Sequence, residues 1–127
     1  MATTVSLIPL KSALISLQAA LTPPPANDRE RDGAIQRFEY TFELSWKTAK
    51  RALAQHGIEA QNPRDVIREL GSQSWISSVE EWFGYLDARN KTSHIYEEDC
   101  AIEVFEMAKL FAPACQNLLK TIEDRLS

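Results

Sequence analysis

The chain has 127 residues, of which 44% are hydrophobic and 25% charged, and its formal net charge is -4. This composition is typical of one globular domain over residues 1–127 and argues against disorder. The negative charge excludes a generally basic surface, so any contact with RNA requires a local cluster of cations. We find no apolar run that could span a bilayer and no signal peptide, and therefore expect a cytoplasmic protein without a membrane partner.

The first predicted element is a short amphipathic helix from about Pro9 to Leu21. Its leucines recur at intervals of three and four residues, which is the period of a helix, and Pro9 suits the first turn. The consecutive prolines at 23–25 cannot continue a helix, so they predict a stiff connector.

The second predicted helix is the longest and covers about residues 28–55. Asn27 is placed to cap it, Glu30 follows three residues later as in a capping box, and Gly57 is placed to end it. One stripe of this helix is apolar and rich in aromatic residues, and we interpret it as bundle core. The stripe consists of Ile35, Phe38, Phe42, Trp46, Ala49 and Leu53. The charges at 28–32 are interpreted as a solvated first turn.

Two further starts follow in the chain. Asn62 as a cap and Pro63 at the first helical position predict a short helix that Gly71 ends. A fourth helix is expected to begin within residues 72–78 and to continue, through Trp75 and later apolar residues, towards Arg89.

The last predicted helix begins at the three carboxylates of residues 97–99, where the helix dipole favours anions. Pro113 is expected to kink it. No alternating pattern or hairpin signal indicates a strand. The sequence therefore predicts an all-α fold, an antiparallel up-and-down four-helix bundle with an additional short helix.

The two cysteines, Cys100 and Cys115, are interpreted as free thiols. On one straight helix they lie about 22 Å apart, which is too far for a disulfide. Neither has a second cysteine or a histidine at zinc-ligand spacing, so we predict no metal site and no cofactor.

Polar side chains with useful chemistry are concentrated between the fourth and last helices. The segment consists of Arg89, Asn90, Lys91, Thr92, Ser93, His94, Ile95 and Tyr96. On a regular helix, His94 and Tyr96 would point in roughly opposite directions. We therefore expect the helix to end or loosen near His94, so that both rings can face one cleft.

These residue types suit phosphodiester chemistry. His94 can transfer a proton near neutral pH, and Arg89 can hold a phosphate through two hydrogen bonds. Asn90 and Ser93 can orient groups, and Lys91 adds local positive charge. No acidic pair or metal-ligand cluster accompanies them in the segment, which favours a metal-independent RNase whose nucleophile is the 2′-hydroxyl of the RNA.

A structural role for the histidines stays open at this point. A lone histidine at a helix end, such as His94, is more often a capping or core residue than a catalyst. The same interpretation is stronger for His56, which precedes Gly57 and can act as a cation at a helix C-terminus.

Two stretches carry a resemblance to a known superfamily. Arg89-x4-His94-x-Tyr96 resembles the R-x4-6-H-x-Y motif of the HEPN superfamily. Residues 37–47, Arg-Phe-Glu-Tyr-Thr-Phe-Glu-Leu-Ser-Trp-Lys, are similar to the long-helix signature of one branch, and residues 62–66 resemble the same branch. That branch is the nucleotidyltransferase substrate-binding proteins, also called HepT-like toxins, and the resemblance extends from about residue 31 to the end.

The resemblance implies a four-helix bundle that forms a homodimer and acts with a cognate minimal nucleotidyltransferase as a toxin–antitoxin pair. It implies that Arg89 and His94 carry RNA cleavage, that Asn90 assists, and that the partner adenylylates Tyr96 to switch cleavage off. The older family name implies an alternative, a non-catalytic subunit that presents substrate to the nucleotidyltransferase.

A homodimer also has a physical rationale. Two Arg-His pairs across a two-fold axis would double the positive charge of one cleft. We expect the tryptophans, Trp46, Trp75 and Trp82, to supply apolar surface for such an interface.

Overall fold

The computed structural model describes residues 5–126, and these residues contain helices and no strand. The helices are α1 (Ile8–Leu21), α2 (Asp28–Gln55), α3 (Pro63–Ser72), α4 (Val79–Asn90) and α5 (Glu98–Leu126), with a 3-10 turn at Thr92–His94. Helix α2 packs against all four other helices, and α5 also packs against α1 and α4. The predicted all-α bundle with one additional short helix, α3, is confirmed.

Three of the helices begin at side-chain caps, as the start signals predict. Each cap oxygen accepts a hydrogen bond from the backbone N–H three residues further on. The pairs are Asn27 with Glu30 (2.9 Å), Asn62 with Asp65 (2.9 Å) and Ser78 with Glu81 (3.1 Å). Gly57 follows α2 with a φ of 76°, which explains why a glycine ends this helix.

The predicted end of α3 at Gly71 is wrong. The helix continues to Ser72, and the residue with positive φ is Ser74, at 61°. Gly71 instead lies where α3 meets the start of α4, because a Cβ at this position would collide with Cγ2 of Val79. The glycine therefore serves a close approach between helices, which a sequence pattern cannot distinguish from a helix stop.

The tryptophans contribute mainly to the core, which contradicts the expectation of an apolar docking surface. Trp75 and Trp82 are only 5% and 4% exposed. Helix α4 begins at Val79, so Trp75 lies in the connector before it, where its ring meets His56 edge-on. Trp82 packs edge-on against Phe111 at 5.6 Å between ring centroids. Of the three tryptophans, Trp46 alone is half-buried.

The first turn of α2 was predicted to be solvated, and this prediction is wrong for Arg31, whose side chain is only 12% exposed. Its guanidinium pairs with Glu98 at 2.6 Å, and this hydrogen bond is the main cause that raises the pKa of Arg31. The pair joins the start of α2 to the start of α5. It thereby anchors the C-terminal side of the polar segment 89–96.

The predicted kink at Pro113 stays a prediction, and α5 continues through this residue.

Candidate functional site

Helix α4 ends inside the polar segment, as expected. Its last residue is Asn90, and a 3-10 turn follows at Thr92–His94. The Thr92 hydroxyl donates to the carbonyl of Arg89 at 2.8 Å, and the backbone N–H of His94 donates to the carbonyl of Lys91 at 2.9 Å. These bonds satisfy carbonyls that the end of a helix leaves without partners, so the turn is a stable structure.

The Arg89 guanidinium is held between two helices. Its Nη1 donates to Oδ1 of the neighbouring Asn90 at 2.8 Å, and its Nη2 forms an ion pair with Oε1 of Glu43 on α2. Both members of the ion pair are 27% exposed. The second oxygen of Glu43 lies 3.7 Å from Nζ of Lys47, one helical turn further along α2. Arg89 is therefore part of a charged network that extends from α4 into α2.

An open depression of about 390 Å³ lies over this network. It is lined by Glu39, Glu43, Arg89, Asn90, Thr92 and Ser93. The structure thus brings three predicted site residues together: Arg89, Asn90 and Ser93. It also adds two carboxylates from α2 that the sequence argument missed. Their spacing of four residues places Glu39 and Glu43 on one side of α2, but nothing local indicates that this side faces α4.

His94 and Tyr96 follow the lining residue Ser93 in the sequence and lie at the surface, but they do not line the depression. Their rings contact each other edge-to-face, with centroids 6.1 Å apart. Tyr96 is 79% exposed, and the His94 side chain is exposed as well. Within residues 5–126, the His94 imidazole has no side-chain hydrogen bond. Both rings are consequently accessible to a ligand or to a modifying enzyme.

The cations of the segment are balanced by carboxylates from other helices. Lys91 Nζ lies 2.7 Å from Oε1 of Glu103 on α5, and the hydrogen bond between them raises the pKa of Lys91. Arg89 is balanced in the same way by Glu43 on α2. The local positive charge expected from the sequence is therefore compensated within the chain. The sequence did not reveal this, because each carboxylate is distant from its cation in the sequence and close to it only in the folded protein.

Residues 5–126 contain neither a metal-binding cluster nor a membrane-spanning helix. Across residues 5–126, no three or more His, Cys, Asp or Glu side chains gather where they could hold a metal ion. In the same range, no helix is long and apolar enough to cross a membrane. Cys100 and Cys115 are both free thiols on α5.

The fold and the polar segment together define a class of protein. A helical bundle that carries Arg-x4-His-x-Tyr where one helix ends is a HEPN-type bundle, as the resemblance implies. The family model described as nucleotidyltransferase substrate binding protein like matches residues 6–124. The chain belongs to this family.

Individual relatives agree with this assignment. The chain is 34% identical over 110 residues to a Haemophilus influenzae protein called probable ribonuclease HepT, a match that covers 83% of this chain and 75% of the relative. A solved Haemophilus influenzae structure, described as the fold of a substrate binding domain of a nucleotidyltransferase, superposes with a TM-score of 0.84. It is 30% identical and covers 93% of this chain and 99% of its own. A structure from Thermus thermophilus has a TM-score of 0.79 at 33% identity, covering 92% of this chain and 98% of its own.

Proposed function

We propose that this protein is the toxin of a toxin–antitoxin pair and that it cleaves RNA without a metal ion in the cytoplasm. The observation that carries the proposal is the end of α4, where an oriented Arg89 guanidinium is followed by the exposed imidazole of His94. The likeness to a protein called probable ribonuclease HepT supports the same activity. The family description supports a minimal nucleotidyltransferase as the cognate partner.

The proposed reaction uses the RNA itself as the nucleophile. Arg89 binds the scissile phosphate and stabilises the charge that develops on its oxygens. His94 accepts the proton of the 2′-hydroxyl, the 2′-oxygen attacks phosphorus, and the bond to the 5′-oxygen breaks as that oxygen takes a proton. The products are a 2′,3′-cyclic phosphate and a 5′-hydroxyl. Asn90 assists by orienting Arg89, and Ser93 and Lys91 support phosphate binding from the turn.

We further propose that the active species is a homodimer. In one chain the depression contains one guanidinium and the two carboxylates of Glu39 and Glu43, which disfavours binding of a phosphate chain. A second copy that places its own Arg89 and His94 across a two-fold axis adds cationic groups to the same cleft. Exposed apolar side chains on α5, Ile102 and Leu110, offer surface for such an interface.

The main test is an RNA cleavage assay with excess EDTA. Wild type and His94→Ala are expressed without the partner, and both are checked by intact mass for the absence of modification. We expect wild type to release products with 2′,3′-cyclic phosphate ends and His94→Ala to release none. Equal cleavage by both proteins would contradict the proposed role of His94 and indicate a contaminating nuclease.

Tyr96 is the proposed site at which the partner controls cleavage. Its phenol is 79% exposed and its ring contacts His94, so an adenylyl group there adds bulk and negative charge next to the reacting groups. After incubation with the nucleotidyltransferase, ATP and Mg²⁺, we expect wild type to gain the mass of adenylyl groups and lose activity. Tyr96→Phe should gain none, and an equal gain in that variant would refute the assignment.

A second candidate function is a non-catalytic subunit that presents substrate to the nucleotidyltransferase. The compensated charges of Arg89 and Lys91 favour it, because the isolated chain then lacks a basic RNA surface. The solved relative described as a substrate binding domain also favours it. In the same EDTA assay, no cleavage by unmodified wild type, together with a stable complex with the nucleotidyltransferase, would select this function.

A further inference from the structure

The carboxylate of Glu43 on α2 occupies an unusual position opposite the proposed phosphate-binding group. Its Oε1 atom is buried, and this atom forms an ion pair with Nη2 of Arg89. A carboxylate oxygen that is removed from water is costly unless a cation compensates it, and losing that cation is costly in turn. The pair therefore restrains the Arg89 side chain strongly, although Arg89 lies in the last turn of its own helix.

The Arg89 guanidinium has N–H donors that its two contacts within the protein do not use, and these donors can bind a phosphate. A guanidinium has five N–H donors in one plane. Glu43 engages Nη2 and Asn90 engages Nη1, and these two contacts fix the orientation of the plane. The donors that these two contacts do not use stay available to the depression that Arg89 lines. Two acceptors from different helices thus orient the group before any ligand arrives.

We propose that Glu43 is a positioning residue for cleavage, which acts by holding the Arg89 guanidinium in the orientation that stabilises the transition state. This inference rests on the proposed ribonuclease function. Glu43 also carries a negative charge that opposes phosphate binding. Its removal should therefore lower kcat, because Arg89 loses its orientation, and leave KM unchanged or lower it, because a repulsive charge is gone.

Glu39 provides a matched control within the same depression. It lies one helical turn before Glu43 on α2, carries the same charge and lines the same depression. Among the described residues, Arg89 forms its ion pair with Glu43, and Glu39 forms none with Arg89. A role that depends on negative charge alone predicts equal effects at the two positions, whereas a positioning role predicts an effect on kcat at Glu43 alone.

The test compares wild type, Glu43→Ala, Glu43→Gln and Glu39→Ala in steady-state RNA cleavage, at a temperature well below the lowest unfolding midpoint. A second readout, independent of activity, is the NMR signal of the Arg89 Nε–H group, assigned by its loss in Arg89→Lys. A Gln side chain keeps an oxygen that can accept a hydrogen bond from Nη2 but lacks the negative charge, so this variant separates orientation from charge.

We expect Glu43→Ala to lower kcat by about 10- to 100-fold without raising KM, and to broaden or shift the Arg89 signal. Glu43→Gln should recover kcat to within about threefold of wild type. Glu39→Ala removes a carboxylate from the same depression, so it should lower KM, without the loss of kcat and without the change in the Arg89 signal that Glu43→Ala causes. Wild-type kcat in Glu43→Ala, or an equal loss in Glu39→Ala, would overturn the inference. If unmodified wild type does not cleave RNA, the proposed function fails, and the Arg89 signal still decides whether Glu43 fixes the guanidinium.

Discussion

The two histidines of this chain both lie just after the end of an α-helix but occupy different environments. His56 is the C-terminal cap residue of α2, and its Nε2 lies 3.0 Å from the carbonyl oxygen of Arg125 near the end of α5. Its ring also meets Trp75 edge-on at 5.3 Å between centroids. His94 ends the 3-10 turn after α4, and its ring meets the exposed ring of Tyr96 edge-to-face.

This difference separates a structural histidine from a candidate catalytic one. His56 uses its polar atom and its ring to join the ends of α2 and α5, so its contacts are directed inward. His94 keeps both ring nitrogens available, because its backbone, and not its imidazole, holds the turn together. The general lesson is that a group with satisfied polar atoms stabilises the fold, whereas an exposed group without such partners can act on a substrate.

The largest expected effect is at the α4 end. Replacing His94 with alanine should lower RNA cleavage at least about 100-fold, because the proton-transfer group is lost. The unfolding midpoint should stay within about 2 °C of wild type, since the imidazole is exposed and contacts a ring that is itself exposed. Cleavage kinetics and thermal unfolding on the same preparations test this, and a decrease of the midpoint as large as the one expected for His56→Ala would show that His94 is structural like His56.

The accessibility of the α4 end can be measured with the two cysteines. Cys100 is half-buried beside this end, where its Sγ lies 3.6 Å from the carbonyl of Lys91, whereas Cys115 is fully buried in α5. Burial raises the pKa of the Cys115 thiol to about 12, so the reactive thiolate is scarce at pH 8.

We therefore expect a thiol reagent to modify Cys100 at least about 100-fold faster than Cys115 in the native protein. Peptide mass spectrometry over a time course measures both rates, and denatured protein provides the reference in which the two react alike. Similar rates in the native state would show that the packing around α5 opens readily, and would weaken the contrast between the exposed end of α4 and the core.

The smallest expected effect is at the α2 end. His56→Ala should lower the free energy of unfolding by about 1 kcal/mol, because one hydrogen bond and one ring contact are lost at an exposed position. This corresponds to a decrease of about 3–5 °C in the unfolding midpoint. Cleavage per folded molecule should not change. If His56→Ala cleaved RNA more slowly than wild type at a temperature where both proteins are fully folded, the distinction between the two histidines would be lost.

The sequence by itself determined the elements and the location of the polar segment. Helical periodicity and the caps Asn27 and Asn62 predicted α2 and α3 with correct starting points, and the spacing of His94 and Tyr96 predicted that α4 ends within the segment. These features could be predicted because they depend on contacts within a few residues, such as a cap oxygen and the N–H three positions later.

Only the tertiary structure decided which groups face each other. It places Glu43 against Arg89 and Glu103 against Lys91, directs Trp75 into the core, and brings Gly71 against Val79. Helical period determines which residues share a face, but the packing of whole helices determines which face meets another. For this reason the sequence located the cations of the candidate site, and only the packed bundle showed the carboxylates that hold them.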